Sequence, residues 1–123
     1  MRSPRNLSLL AKKILSILEN RGATLDIFLL PTSDIARLKA RFIKKKTEPN
    51  ILSFPEPLSF PHPETGKKYL GEIYLNKDIL EKSPERAAPL LIHGILHLLG
   101  FSHGRKASAA KMERLEKKIF ALI

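Results

Sequence analysis

Apolar residues recur at three- and four-residue intervals in the first part of the chain. Leu7, Leu10, Ile14, Ile17 and Leu18 predict an amphipathic helix over residues 6–21, with Gly22 as its stop. The period then changes to two. In TLDIFLLP, Leu25, Ile27 and Leu29 alternate with Thr24, Asp26 and Phe28, a strand closed by Pro31. Helical spacing returns at Ile35, Leu38 and Phe42, with Thr32 or Ser33 as cap and Arg37, Lys39, Arg41 and Lys44 on the other faces. ILSFP reads as a short buried strand ended by Pro55, and YLGEIYLN as another. Between them, Pro57, Pro61, Pro63 and Gly66 mark an irregular excursion. Ser83, Pro84 and Glu85 signal a helix start, and Pro89, which has no amide donor, places the regular part of that helix from about Ala88 onward. A last helix over residues 107–122 aligns Met112, Leu115, Ile119 and Leu122, with Glu113 and Lys117 paired four residues apart. No repeat or linker divides the pattern, so one domain over residues 1–123 is expected.

Composition narrows the picture. With 123 residues and 43% hydrophobic content, the chain suits one modest core. No apolar run approaches the roughly 20 residues of a membrane span. Lys12 and Lys13 interrupt the N-terminal apolar run, which favours an amphipathic helix over a signal peptide. The absence of cysteine excludes a disulfide framework and a thiolate metal site, and it fits a cytoplasmic location. The net charge of +10 points to a polyanionic partner, nucleic acid or anionic lipid, and nucleic acid is favoured over the plain alternative of a lysine-rich background. The cations cluster at 37–46, at 67–68 and at 105–118.

Candidate chemistry is concentrated in HGILHLLGFSHG. Three of the four histidines, His93, His97 and His103, fall in this window. Residues four apart on a helix project from one face, so His93 and His97 can present two imidazole nitrogens to one ion. A third ligand further along a straight helix would miss it. Gly100 offers the exit, because glycine takes the left-handed conformation that ends helices, and His103 can then return towards the same point. Three imidazoles leave one tetrahedral position open, the arrangement of a catalytic zinc site. The spacing matches the metzincin frame H-E-x-x-H-x-x-G-x-x-H except that Gly94 stands where the general-base glutamate would be. His62, alone in the proline-rich excursion, reads as a non-ligand.

At HGILHLLGFSH the chain resembles the YbeY family of metal-dependent endoribonucleases, whose signature is approximately H-G-x-L-H-L-x-G-Y-D-H. NILSFP (50–55) is similar to the family's N-V-L-S-F-P strand, and LGEIYL (70–75) to its L-G-D-I-x-I strand. Met112 and Glu116 match a methionine and a glutamate of the last helix. The resemblance implies an α/β (α+β) fold, a mixed sheet of about four strands packed with four to five helices, and a zincin-like metal-site helix. It also implies one zinc ion at His93, His97 and His103, and single-stranded RNA as substrate. Ribosomal RNA or the small ribosomal subunit would be the partner, in rRNA maturation and ribosome quality control. Phe101 and Ser102 replace the signature's tyrosine and aspartate. Ile43 falls in the column of a family arginine. Arg41, Lys44 or Lys45 are the nearest cations, and a neighbouring helical position points about 100° away.

The leading expectation is therefore a zinc-dependent hydrolytic endoribonuclease, with Arg41 and Lys44 as candidate catalytic cations and its competence left open by Ile43 and Ser102. Phe54, Phe60, Tyr69 and Phe101 are candidate stacking surfaces for unpaired bases. Two rivals stand beside it: a non-catalytic, metal-stabilised RNA- or ribosome-binding module, and a small metallopeptidase, which Gly94 opposes. Oligomeric state is not legible.

Overall fold

The two-residue alternation and the two short apolar runs come together as one sheet. A computed structural model describes residues 4–42, 50–56, 68–101 and 106–123. In chain order these form α1 (Pro4–Ile17), β1 (Ala23–Leu30), α2 (Thr32–Phe42), β2 (Ile51–Pro55), β3 (Lys68–Asn76), α3 (Lys77–Lys82), a 3-10 turn (Pro84–Arg86), α4 (Ala87–Leu98) and α5 (Lys106–Leu122). The strand order is β1-β3-β2, with β1 parallel and β2 antiparallel to β3. The α+β class with a mixed sheet and five helices is as expected. The sheet has three strands among the described residues rather than about four, because only three segments of the chain carry strand patterning.

Strand alternation sorts the two faces. Leu25, Ile27, Leu29, Ile51, Ile73 and Leu75 face a core shared with Leu7, Ala11, Ile14 and Leu15 of α1, the apolar side of α4, and Met112 and Ile119 of α5. Each fully buried leucine or isoleucine there contributes about 1.5–3 kcal/mol relative to exposure. Thr24, Asp26 and Phe28 point to the other face, which α2 partly covers with Ile35 against β2 and β3. An extra residue in β3 interrupts the alternation: Thr24 pairs with Tyr69 but Asp26 pairs with Glu72. The adjacent Leu70 and Gly71 are consequently both buried. Gly71 has φ +135°, and a Cβ there would overlap the Phe54 carbonyl oxygen.

Helix ends depart from the sequence expectation in two places. Helix α1 stops at Ile17, four residues before the expected limit, and Gly22 is not its terminator. Glu19 takes the left-handed conformation (φ 60°), Glu19 N–H donates to Ser16 O at 3.0 Å, and Asn20 N–H donates to Leu15 O at 2.8 Å. This is a Schellman closure built on a non-glycine residue. At α2, Pro31 supplies the first accepting carbonyl, to Asp34 and Ile35 N–H. Thr32 is not a conventional cap. Its N–H and hydroxyl both donate to Asp78 Oδ2 at 2.9 Å, and the Asn76 amide donates to its Oγ1 at 3.0 Å. Fully buried Asn76 also caps α3 by accepting from Ile79 N–H at 3.1 Å. One short polar cluster thus fixes the start of α2 and α3 at the end of β3.

Two predictions follow from these termini. The donors from Thr32 hold the Asp78 carboxyl below its usual range. A depressed folded pKa stabilises above the unfolded value and is lost as pH falls through the folded one. Asp78→Asn should therefore lower the urea midpoint at neutral pH, with the deficit disappearing under strongly acidic conditions. An L-residue in the left-handed region costs about 1–2 kcal/mol, and glycine returns part of that as chain entropy. Glu19→Gly should raise stability by up to about 1 kcal/mol in the same measurement.

Candidate functional site on helix α4

Helix α4 is mostly buried. Ala87, Leu91, Ile92, Gly94, Ile95, Leu96 and Leu98 are inaccessible, which leaves a narrow half-exposed stripe through Leu90, His93 and His97. Pro89 lies in its first turn, as the sequence suggested, after the 3-10 turn begun by Pro84. Gly94 sits where α4 meets the sheet. A Cβ on it would come 2.8 Å from Ile51 Cδ1 and 3.0 Å from Ile73 Cδ1. The position that bears a glutamate in the metzincin frame therefore points into the core of this protein, not towards the histidines.

The two histidines converge. His97 Nε2 lies 3.0 Å from His93 Nε2, with ring centroids 4.5 Å apart. Two imidazoles on one tetrahedral zinc, each about 2.0–2.1 Å from it, place their nitrogens roughly 3.3 Å apart. The pair is thus close to the spacing that a shared cation requires. On the opposite side of the ring, His93 Nδ1 faces Glu116 Oε2 of α5 at a loose 3.4 Å, with both side chains about 30% exposed (31% and 27%). A carboxylate there favours the proton on Nδ1, leaving the Nε2 lone pair available to a ligand-accepting ion. Among the described residues no group of three His, Cys, Asp or Glu side chains is assembled around a common point. His103, the third expected ligand, lies outside the described residues, as do His62, Lys44, Ile43 and Ser102.

The reversal expected at Gly100 is present. Gly100 has φ +100°, its N–H donates to His97 O at 3.0 Å, and Phe101 N–H donates to Leu96 O at 3.0 Å. This is the two-bond Schellman motif, and half-buried Phe101 packs on the core beside it. The chain turns back over the last turn of α4 two residues before His103.

The remaining sequence candidates fall in varied places. Arg41 is exposed near the end of α2, its guanidinium carbon 5.8 Å from the centre of the Phe42 ring. Arg37 pairs with Asp34 at 3.6 Å on a solvated face, and burial pushes the Lys39 ammonium pKa down. Phe54 meets Tyr74 and Phe42 edge-on, and the Tyr69 hydroxyl donates to Asp26 at 2.7 Å. Tyr74 donates to Glu72 at 2.7 Å; this bond, then burial, pushes the phenol pKa up to about 12. Phe60 lies outside the described residues. The role of Glu116 is a gain over the sequence reading, which matched it to the family pattern without assigning it a contact.

A helix bearing an H-x-x-x-H pair, laid on a small mixed sheet and closed by a glycine reversal, defines an α+β protein with a zincin-like histidine helix. The family model for Endoribonuclease YbeY matches residues 3–123, and the chain belongs to that family. It is similar to Endoribonuclease YbeY of Chelativorans sp. (31% identity over 79% of this chain and 64% of the relative). The corresponding protein of Nitrobacter hamburgensis is 36% identical over 80% of this chain and 57% of the relative. That of Bartonella henselae is 32% identical over 88% and 74%. The chain spans about three fifths of the length of the first two relatives.

The close seat of α4 is open to a direct test. Gly94→Ala has only two isoleucine methyl ends to displace, and the helix-propensity gain offsets the crowding, so it should cost less than about 2 kcal/mol. Gly94→Glu forces a carboxylate between Ile51 and Ile73 and should cost more than about 4 kcal/mol, read as loss of a cooperative urea transition.

Proposed function

We propose that the protein is a metal-dependent endoribonuclease that cleaves single-stranded RNA, acting in the cytoplasm in ribosomal RNA maturation and ribosome quality control. The observation that carries this reading is the convergence of His93 and His97 Nε2 at 3.0 Å on a helix whose glycine exit sends the chain back. Membership of the Endoribonuclease YbeY family supports the reaction class.

In this reading, His93, His97 and His103 hold one zinc ion, which when bound supplies Lewis acidity and lowers the pKa of a coordinated water. Glu116 keeps the His93 proton on Nδ1 and the ring in register. Arg41 and Lys44, with the other cations of the +10 surface, hold backbone phosphates and offset charge that develops on them. Gly94, turned into the sheet, supplies no general base, which separates this site from a peptidase. A second reading, a non-catalytic metal-stabilised RNA- or ribosome-binding module, is favoured by Ile43 and Ser102 in place of the family's arginine and aspartate.

The deciding experiment combines elemental analysis with incubation on single-stranded RNA, with and without chelator. We expect about one zinc per chain, cleavage that chelator stops, and loss of both in His97→Ala. Intact strand with metal-loaded protein would overturn the nuclease and leave the binding module. Glu116→Ala should weaken metal affinity by about 10- to 100-fold without removing it. RNA affinity should fall steeply on a log–log plot against salt; a flat response would make the positive charge incidental.

A further inference from the structure

One turn from the His93–Glu116 contact, α4 and α5 leave a cavity that the site chemistry does not use. It measures about 180 Å³ and is lined by Pro89, Ile92, Glu116, Lys117 and Phe120. Pro89 precedes His93 by four residues and Phe120 follows Glu116 by four, so the cavity runs from Glu116 about one turn along both helices, away from His93. Its walls are mainly hydrocarbon. Phe120 is 55% exposed, so much of its ring surface is open to a ligand.

We propose that this cavity receives an unpaired nucleobase of the RNA strand, stacked on Phe120, while Lys117 at the rim meets the adjoining phosphate. The proposal rests on the endoribonuclease reading and names a substrate-binding subsite for it. Charge complementarity selects the occupant. Lys111, Arg114, Lys117 and Lys118 are exposed along α5, so the helix that carries the aromatic ring is also a track for a polyanion. A second copy of the chain would instead bring +10 against +10. An aromatic face beside a cationic helix is how single strands are held without regard to sequence, because every base has a π-face. The Glu116 carboxylate is turned towards His93, and this leaves Pro89, Ile92 and Phe120 as the surfaces that a flat ring meets.

The chain has no tryptophan, so Phe120→Trp introduces one tryptophan at the cavity, which can be excited selectively on the red side of tyrosine absorption. Metal-loaded Phe120→Trp is titrated with a labelled single-stranded 2′-O-methyl phosphorothioate oligoribonucleotide, which resists cleavage. Label anisotropy and tryptophan emission are read together. The expected result is saturable quenching with the same midpoint as the anisotropy, and no quenching by an abasic strand. Phe120→Leu, which keeps an apolar side chain without the ring and whose fold is checked by circular dichroism, should weaken binding by about 5- to 100-fold and raise KM more than it lowers kcat. Anisotropy that saturates while emission stays constant overturns the subsite and leaves the nuclease intact. Emission that changes with protein concentration in the absence of RNA overturns it in favour of contact between copies. No anisotropy change even with the unaltered protein overturns both readings.

Discussion

The tight seat of α4 on the sheet is the constraint on which the rest of the structure depends. Gly94 lets the helix axis approach Ile51 and Ile73 more closely than any side chain would allow. With that face pressed on β2 and β3, and the flanking residues sunk between α1 and α5, little of the helix is left to face outward. The half-exposed stripe contains the two histidines. Their convergence follows from helical spacing, but their rotational setting follows from packing on the other side. A core substitution at position 94 therefore acts on the site without touching it.

Charge is distributed by element. The outward face of the sheet carries Asp26 and Glu72, both engaged by tyrosine hydroxyls. Exposed cations lie along α1, α2 and α5. A polyanion approaching this molecule meets helices rather than the strands, and α5 is the helix that also supplies Glu116 to His93. The element that orients the histidine thus also offers positive charge.

The sequence was most legible where one physical rule acted alone. Alternation at Leu25, Ile27 and Leu29 marked β1, and glycine's freedom at Gly100 marked the end of α4, because nothing competed with either signal. The same reasoning failed at α1. Gly22 looked like the stop, but the helix closes earlier through the Glu19 and Asn20 N–H groups, with Glu19 in the conformation that glycine would have taken freely. The capping of α2 was hidden for a different reason: its partners, Asn76 and Asp78, lie more than forty residues away in the chain, and no local pattern records them. The histidine pair was legible from spacing, whereas the contact of Glu116 with His93 needed the fold to bring α5 alongside α4.

The irregularity at Gly71 has a wider effect than a local kink. Because β3 holds one residue more than β1 over this stretch, Leu70 and Ile73 look the same way although an odd number of positions separates them. Drawing Gly71 into the regular alternation, with no residue removed, would not merely straighten the strand. It would turn over everything on its N-terminal side, presenting Leu70 to solvent and driving the Tyr69 phenol into the hydrocarbon interior.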